Sequence, residues 1–468
     1  MTGGQLAVPV SGRLDVRNRG DVRLRLIPVL LCLPVLFMFE FSAFTAQTTS
    51  RLYSTDVGGG FRLIDVLIMG LTALQLMITR RTRLSIRFPT SLAFPLALAT
   101  GAWAISLAYG KLTGGTHLMF DWRSIVLGVA ISLITAAGVR SRRDSAIVLD
   151  TVLILSAAFS VFVLAAFAAG GGVRTGPTGR IPLWDQHALT VLSFSPVLAV
   201  ARWLTQAPRR RLALLCSIPC FAVVVLSSRR NNWGELLCGL GLLLLLDGGV
   251  RRRFHALGLV AVLMAVVTVV LGPARLASRV ESMDPNAYGT PESATNAGHV
   301  GDVLDAWDAV KTSPWLGIGQ GKPYRTSRIV DWKTESWMVH NAPLHVWIRY
   351  GLLGLVSFFW WHAAYFRYLN RLRRRWRVFR EDGARETSAL LLATLCWSVG
   401  VFIVAMFFSE WSYTSLQRMT LIGTLWGLTL HRSVRRVPPV PGSIGVSTSR
   451  PAVGAVVTPL PPADIPAP

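Results

Sequence analysis

Two short stretches of this chain carry residue types that could do chemistry. One is Trp337-Met338-Val339-His340-Asn341, followed by Pro343. Proline favours the first turn of a helix, which puts His340 and Asn341 at a helix N-terminus. Free N–H groups and the positive end of the helix dipole gather there and suit anions. An imidazole at that place could serve as a base, although a lone histidine at a helix end is more often a satisfied polar residue. The other stretch is Ser227-Ser228-Arg229-Arg230-Asn231-Asn232. Two adjacent guanidinium forks fit phosphate oxygens, or they are a pair that snorkels at a helix end. Between these stretches, Gly317, Gly319 and Gly321 allow a tight turn before Lys322, Arg325 and Arg328. A glycine turn followed by cations could cradle phosphate, but the spacing is neither a nucleotide-binding loop nor a dinucleotide fingerprint.

The elements that must position these residues are apolar. Of the 468 residues, 52% are hydrophobic and only 15% charged, a composition that excludes an ordinary soluble domain and indicates a membrane protein. The formal charge of +24 would suggest nucleic acid in a soluble chain. Here the arginines stand in connectors between apolar runs, where the cytoplasmic face and its anionic lipid account for them, so no nucleic-acid partner is expected. Runs long enough for a membrane helix begin near Ile27, Leu63, Leu92, Ile125, Ile147, Ala188, Leu212, Trp233, Ala256, Pro343, Ser388 and Ser415, which predicts an all-α polytopic fold of about twelve spans. Arginine clusters recur in alternate connectors, at Arg80–Arg87, Arg140–Arg143, Arg209–Arg211, Arg251–Arg253 and Arg371–Arg377. The alternation predicts both termini inside, with residues 1–25 a cytoplasmic segment, 26–272 spans one to nine, and 343–431 spans ten to twelve. No small-residue cleavage site follows the first apolar run, so it reads as a retained span.

Residues 273–342 then form a large loop outside the membrane, and Arg229-Arg230 lies on that same face, where the charge rule disfavours cations. Within the loop, Gly298–Thr312 has helical periodicity. Val303, Trp307 and Val310 share one face, with Trp307 a candidate interfacial anchor, while Asp302, Asp305 and Asp308 share another that is expected to be solvated. The Pro-rich segment 432–468 is expected to be a disordered cytoplasmic tail. Cys32, Cys216, Cys220, Cys238 and Cys396 fall in apolar runs without metal-ligand or disulfide spacing and read as core.

The ordered set Pro314-x-x-Gly317-x-Gly319-x-Gly321, His340-Asn341-x-x-Leu344 and Gly351-Leu352-Leu353-Gly354, with the earlier Ser-Ser-Arg-Arg, resembles the signature of the O-antigen ligase and O-antigen polymerase superfamily of bacterial membrane glycan transferases. The resemblance implies a multi-pass protein of the bacterial cytoplasmic membrane. It would move a glycan from an undecaprenyl-diphosphate carrier to an acceptor hydroxyl, on a glycan or a lipid, at the outer face, with no metal or other cofactor. It makes His340 the catalytic base and Arg229 or Arg230 a ligand of the diphosphate. The chain departs from the family in two places. His299 stands where many members have an arginine at the start of the loop helix, which leaves Lys322, Arg325 and Arg328 as substitute cations. Arg349 stands where many have an acid, and could be an anion ligand or a snorkelling residue. His299, Asn341 and Arg349 are candidate substrate contacts. The alternative reading is a transporter of envelope precursors or other small molecules. It would require ionisable residues at mid-span, whereas Asp150 and Glu235 fall near predicted span ends.

Overall fold

The computed structural model describes residues 56–58, 61–81, 88–116, 118–139, 141–175, 179–183, 186–227, 229–246, 291–327, 335–336, 339–407 and 416–431, with isolated positions between 249 and 265. Among the described residues the chain is mostly helical. In chain order the helices are α1 (Leu63–Arg81), α2 (Thr90–Leu112), α3 (Met119–Gly138), α4 (Arg142–Ala168), α5 (Gln186–Leu204), α6 (Arg210–Leu226), α7 (Arg230–Leu246), α8 (Pro291–Thr312), α9 (Ala342–Trp376), α10 (Asp382–Phe407) and α11 (Leu416–Leu430). Helices stand at ten of the twelve predicted starts; those near Ile27 and Ala256 lie outside the described residues. By length and composition α2, α4, α5, α9 and α10 can each cross a membrane. Three two-stranded antiparallel ribbons, β1 (Asp56–Gly58) with β2 (Phe61–Arg62), β3 (Val173–Thr175) with β4 (Gly179–Ile181), and β5 (Tyr324–Arg325) with β6 (Glu335–Ser336), qualify the purely α expectation. The Pro-rich tail, the arginine cluster at Arg251–Arg253 and Cys32 lie outside the described residues.

The main core gathers α4, α6, α7, α10 and α11 around α5, which is buried along almost its whole length. Cys216, Cys220 and Cys396 are buried in it as small apolar side chains. A smaller cluster joins α1 to α3. α4 starts with a capping box, in which Ser141 Oγ accepts from the Asp144 amide and the Asp144 carboxylate accepts from the Ser141 amide. α9 is capped by Asn341, whose Oδ1 accepts from the Leu344 amide at 3.0 Å, with Pro343 in the first turn as the sequence predicts.

Helix α9 is not one straight span. At Gly351 the backbone turns to φ 65° and ψ −169°, so a short half-helix, Ala342–Tyr350, is set off from the rest. The loop after α8 enters this break. The Leu352 amide donates to the Pro314 and Trp315 carbonyls at 3.0 and 3.2 Å, and the Ile348 carbonyl accepts from the Ile318 amide at 2.7 Å. Backbone groups that the kink takes out of the helix ladder are thereby satisfied by the loop. A Cβ on residue 351 would stand 2.0 Å from the Trp315 carbonyl oxygen, so glycine is required for space as well as for its positive φ. The loop then passes α2, where Gly319 and Gly110 meet backbone to backbone and the Gln320 amide donates to the Ser106 carbonyl at 3.2 Å. The glycines of Pro314–Gly321 thus serve close packing between α2 and α9.

Candidate functional site

The acidic face of α8 does not face solvent. Asp302 and Asp305 are buried, and only Asp308 is exposed, paired with Lys311 at 2.9 Å. The reason is the folded loop lying across them. Ala306 and Val310 of α8 pack with Tyr324, Val339 and Ile348 in a small apolar cluster, which brings the acids in between. The Asp305 carboxylate accepts from the Ser327 amide at 2.8 Å and from its hydroxyl at 2.9 Å, closing the loop onto the helix. Trp307, on the opposite side, is 41% exposed and meets Trp347 edge to face at 5.5 Å.

Asp302 is the centre of the site. Its Oδ2 accepts from the His340 amide at 2.7 Å and lies 2.9 Å from His340 Nδ1, and its Oδ1 accepts from the Tyr324 hydroxyl. Burial by itself raises the Asp302 carboxyl, but the bonds from His340 and Tyr324 outweigh it and hold the group below the usual carboxylate range. Tyr324 is pushed far up, first by burial and then by the adjoining carboxylate. An ionised carboxylate accepting at Nδ1 requires N–H on that nitrogen, which leaves Nε2 as the basic atom. The Asp302 side chain is 2% exposed and that of His340 is 42% exposed, so the pair presents a reachable nitrogen on a covered acid.

His340 directly precedes the N-cap of the α9 half-helix, and the loop-filled kink fixes that half-helix. Asn341 Nδ2 donates to the Met406 carbonyl at 2.6 Å, tying this end of α9 to the end of α10. The first turn of α7, which carries Arg230 and follows Arg229, packs by the same end of α10: a Cβ at Gly234 would touch Val404 Cγ2 at 3.0 Å. Arg229 and Arg230 are half-buried, and the segments that carry them and His340, more than a hundred residues apart in sequence, both pack by the Val404–Met406 end of α10. Just below Arg230, Asn232 Nδ2 donates to Thr190 Oγ1 at 2.9 Å and to the Gln186 carbonyl at 3.0 Å, and Arg418 Nη2 lies 2.9 Å from Thr190 Oγ1 and 3.7 Å from Glu235 Oε1. This network joins α5, α7 and α11 beneath the two arginines.

The other candidates are placed differently. The Arg349 guanidinium is buried and donates to the Lys322 carbonyl and to that of Gly319 at 3.5 Å, so it clamps the loop rather than facing a membrane surface. Asn341 is spent on capping and on Met406. Lys322 is half-buried, and Arg325 is exposed on β5 opposite Glu335. His299 lies in the α8 backbone, and Arg328 lies outside the described residues. Among the described residues no group of three or more His, Cys, Asp or Glu is placed to hold a metal ion. Sequence reading missed Asp302, Tyr324 and Arg418. The signal for Asp302 was three acids at helical spacing in a chain that has 24 acids against 48 lysines and arginines.

Fold and site define a mostly helical membrane protein with a buried carboxylate on a partly exposed histidine at a helix end. Residues 212–359 match the O-antigen ligase family model, and the match bears out the resemblance to the O-antigen ligase and polymerase superfamily. The matched third of the chain runs from α6 through the kink of α9 and contains Arg229, Arg230, Asp302 and His340. No curated protein matches the chain.

Proposed function

We propose that this protein transfers a glycan from an undecaprenyl-diphosphate carrier to an acceptor hydroxyl at the outer face of the bacterial cytoplasmic membrane, in cell-surface polysaccharide assembly. The carrying observation is the His340–Asp302 pair, at 2.9 Å, inside the stretch that matches the O-antigen ligase family. In this reading Nε2 of His340 takes the acceptor's proton as its oxygen attacks the sugar, and Asp302 orients the ring and stabilises the imidazolium that forms. Arg229 and Arg230 hold the diphosphate as it leaves and gains charge, a task suited to fixed guanidinium forks at a low-dielectric boundary. Lys322, Arg325 and Arg328 are the further cations of the loop, and His299 occupies the place of the loop arginine. The reading needs about twelve spans, both termini inside and residues 273–342 outside; the alternating arginine clusters support that arrangement. The reaction as written draws on protein groups alone.

The experiment is transfer from a lipid-linked glycan by purified protein in liposomes, together with surface polysaccharide from cells carrying the same variants. His340→Ala is expected to abolish transfer, and Arg229→Ala or Arg230→Ala to lower it strongly, with the protein still in the membrane. Normal glycan quantity and length in all three would sink the reading. Uptake of a soluble substrate by the liposomes, without glycan transfer, would favour a transporter. The buried acids speak for the transferase: Asp150 and Glu235 are bound to Arg202 and Arg418, as structural ion pairs are.

A further inference from the structure

At the opposite end of α10 from Met406, the connector between α5 and α6 and the first turn of α10 enclose a second polar cleft. It is lined by Gln206, Ala207, Pro208, Arg209, Arg210, Arg211, Asp382 and Arg385, and at about 400 Å³, open to solvent, it is within the size range of small-ligand sites. The 21 residue steps of α10 from Arg385 to Met406 span roughly 30 Å at ~1.5 Å per residue, the thickness of a hydrocarbon core. The cleft thus stands at the membrane surface opposite His340, outside the site described above.

Four arginines face one carboxylate in this cleft, and their engagements differ. Arg209 is bound to Asp150, whose other oxygen is 2.8 Å from the buried Arg202, itself paired with Glu386. Arg210 lies over the Trp203 ring, 5.4 Å from its centroid, and donates to Gln206. Among the described residues no carboxylate lies within salt-bridge distance of Arg211 or Arg385. The helix beginning here compounds the imbalance. α6 has no acid in its first turn and no side-chain cap, and Arg209 takes the left-handed φ of 60° at its N-cap. Three arginines at a helix N-terminus oppose the dipole. The buried ion cluster below holds the connector in that shape, so the fold gathers the guanidinium groups with Asp382 as the one carboxylate lining the cleft.

We propose that this cleft binds a phosphate group at the membrane surface, with Arg211 and Arg385 as its chief ligands. A phosphodiester of an anionic lipid headgroup and free inorganic phosphate share the chemistry that two guanidinium groups and the α6 amides recognise. The proposal does not depend on glycan transfer. The test takes the full-length protein in nanodiscs of phosphatidylglycerol or phosphatidylcholine and counts retained lipids by native mass spectrometry, with inorganic phosphate as competitor. Wild type is expected to retain phosphatidylglycerol in preference to phosphatidylcholine. Arg211→Ala/Arg385→Ala is expected to lose about 30-fold in that preference, roughly fivefold for each surface arginine. The Arg211→Lys/Arg385→Lys pair, which keeps the charge and so guards against a folding artefact, is expected to keep most of it. Displacement of the lipid by millimolar inorganic phosphate would support the site and identify free phosphate as a competent source. Lack of displacement with the lipid preference intact would support the lipid headgroup. Equal retention of both lipids by wild type, or an unchanged preference in the alanine pair, would overturn the proposal.

Discussion

Replacement of Asp302 by asparagine tests the site at its most informative atom. The substitution keeps the size of the side chain and removes its charge. In the wild type one carboxylate oxygen serves both the His340 amide, at 2.7 Å, and His340 Nδ1, at 2.9 Å, while the other accepts from Tyr324. The carboxylate is 2% exposed, so solvent screens it little. A hydrogen bond to a charged group contributes about 1.5–3 kcal/mol. If the carboxylate acts on the imidazolium as it forms, that energy is realised in the transition state, and at ~1.36 kcal/mol per factor of ten the loss in kcat is about 10- to 150-fold. An asparagine can still accept from Nδ1, or can turn its amide toward it and impose the wrong tautomer, so the loss is expected toward the upper end. The assay is glycan transfer in liposomes, with kcat and KM measured separately and a pH profile for each variant. A positioning role predicts a fall in kcat at nearly constant KM and a displaced pH optimum. Tyr324→Phe, which removes one donor to the other oxygen, should cost less than tenfold. Wild-type kcat in Asp302→Asn beside an inactive His340→Ala would refute the coupling between acid and imidazole.

Three further outcomes follow from the geometry. Gly351→Ala places a methyl group 2.0 Å from the Trp315 carbonyl oxygen at φ 65°, and is expected to detach the loop from α9; limited proteolysis should cut near Trp315 in the variant and spare the wild type. Glu235→Gln leaves Arg418 buried against a neutral side chain and should cost about 3–5 kcal/mol, as removal of one partner of a buried pair does, whereas Glu235→Leu/Arg418→Met should recover most of it, read by thermal unfolding in detergent. The pH dependence has a defined sign. Because Asp302 is held below its ordinary value of 3.8, its contribution to loop anchoring is complete above about that pH and is lost only as pH falls through its lower folded value. Histidine exchange and proteolysis should therefore find the loop closed at pH 5 and loosened at stronger acidity.

The helices were legible in the sequence because hydropathy and arginine spacing report on solvent and surface directly, and these hold for any arrangement of spans. The start of α9 was legible because Asn341 and Pro343 act locally, as cap and first-turn residue. The kink at Gly351 was not, since Gly-Leu-Leu-Gly inside an apolar run is ordinary helix until a carbonyl some 36 residues earlier needs the space. The face of α8 was misjudged for a related reason: helical spacing separates acids from apolar residues but cannot tell which side a later loop will cover. Arg349 shows the same limit, because an arginine two residues before Gly351 resembles an anion ligand until its guanidinium is found on two backbone carbonyls. His340 could be singled out, whereas Asp302, 38 residues earlier, needed the fold to bring it within reach.

The interlock at the kink also sets the unit in which this protein can be recombined with others. Residues 313–322 complete the backbone of α9, and α9 in turn receives them, so neither half is self-sufficient. A hybrid that takes the loop from one protein and the following helix from another must match two surfaces at once, the carbonyl register at Pro314–Trp315 and the glycine at 351. Crossovers placed before α8 and after Gly354 keep the histidine, its acid and their scaffold as one cassette. Crossovers between 322 and 351 divide it, and should yield inactive hybrids even between close relatives with every catalytic residue present.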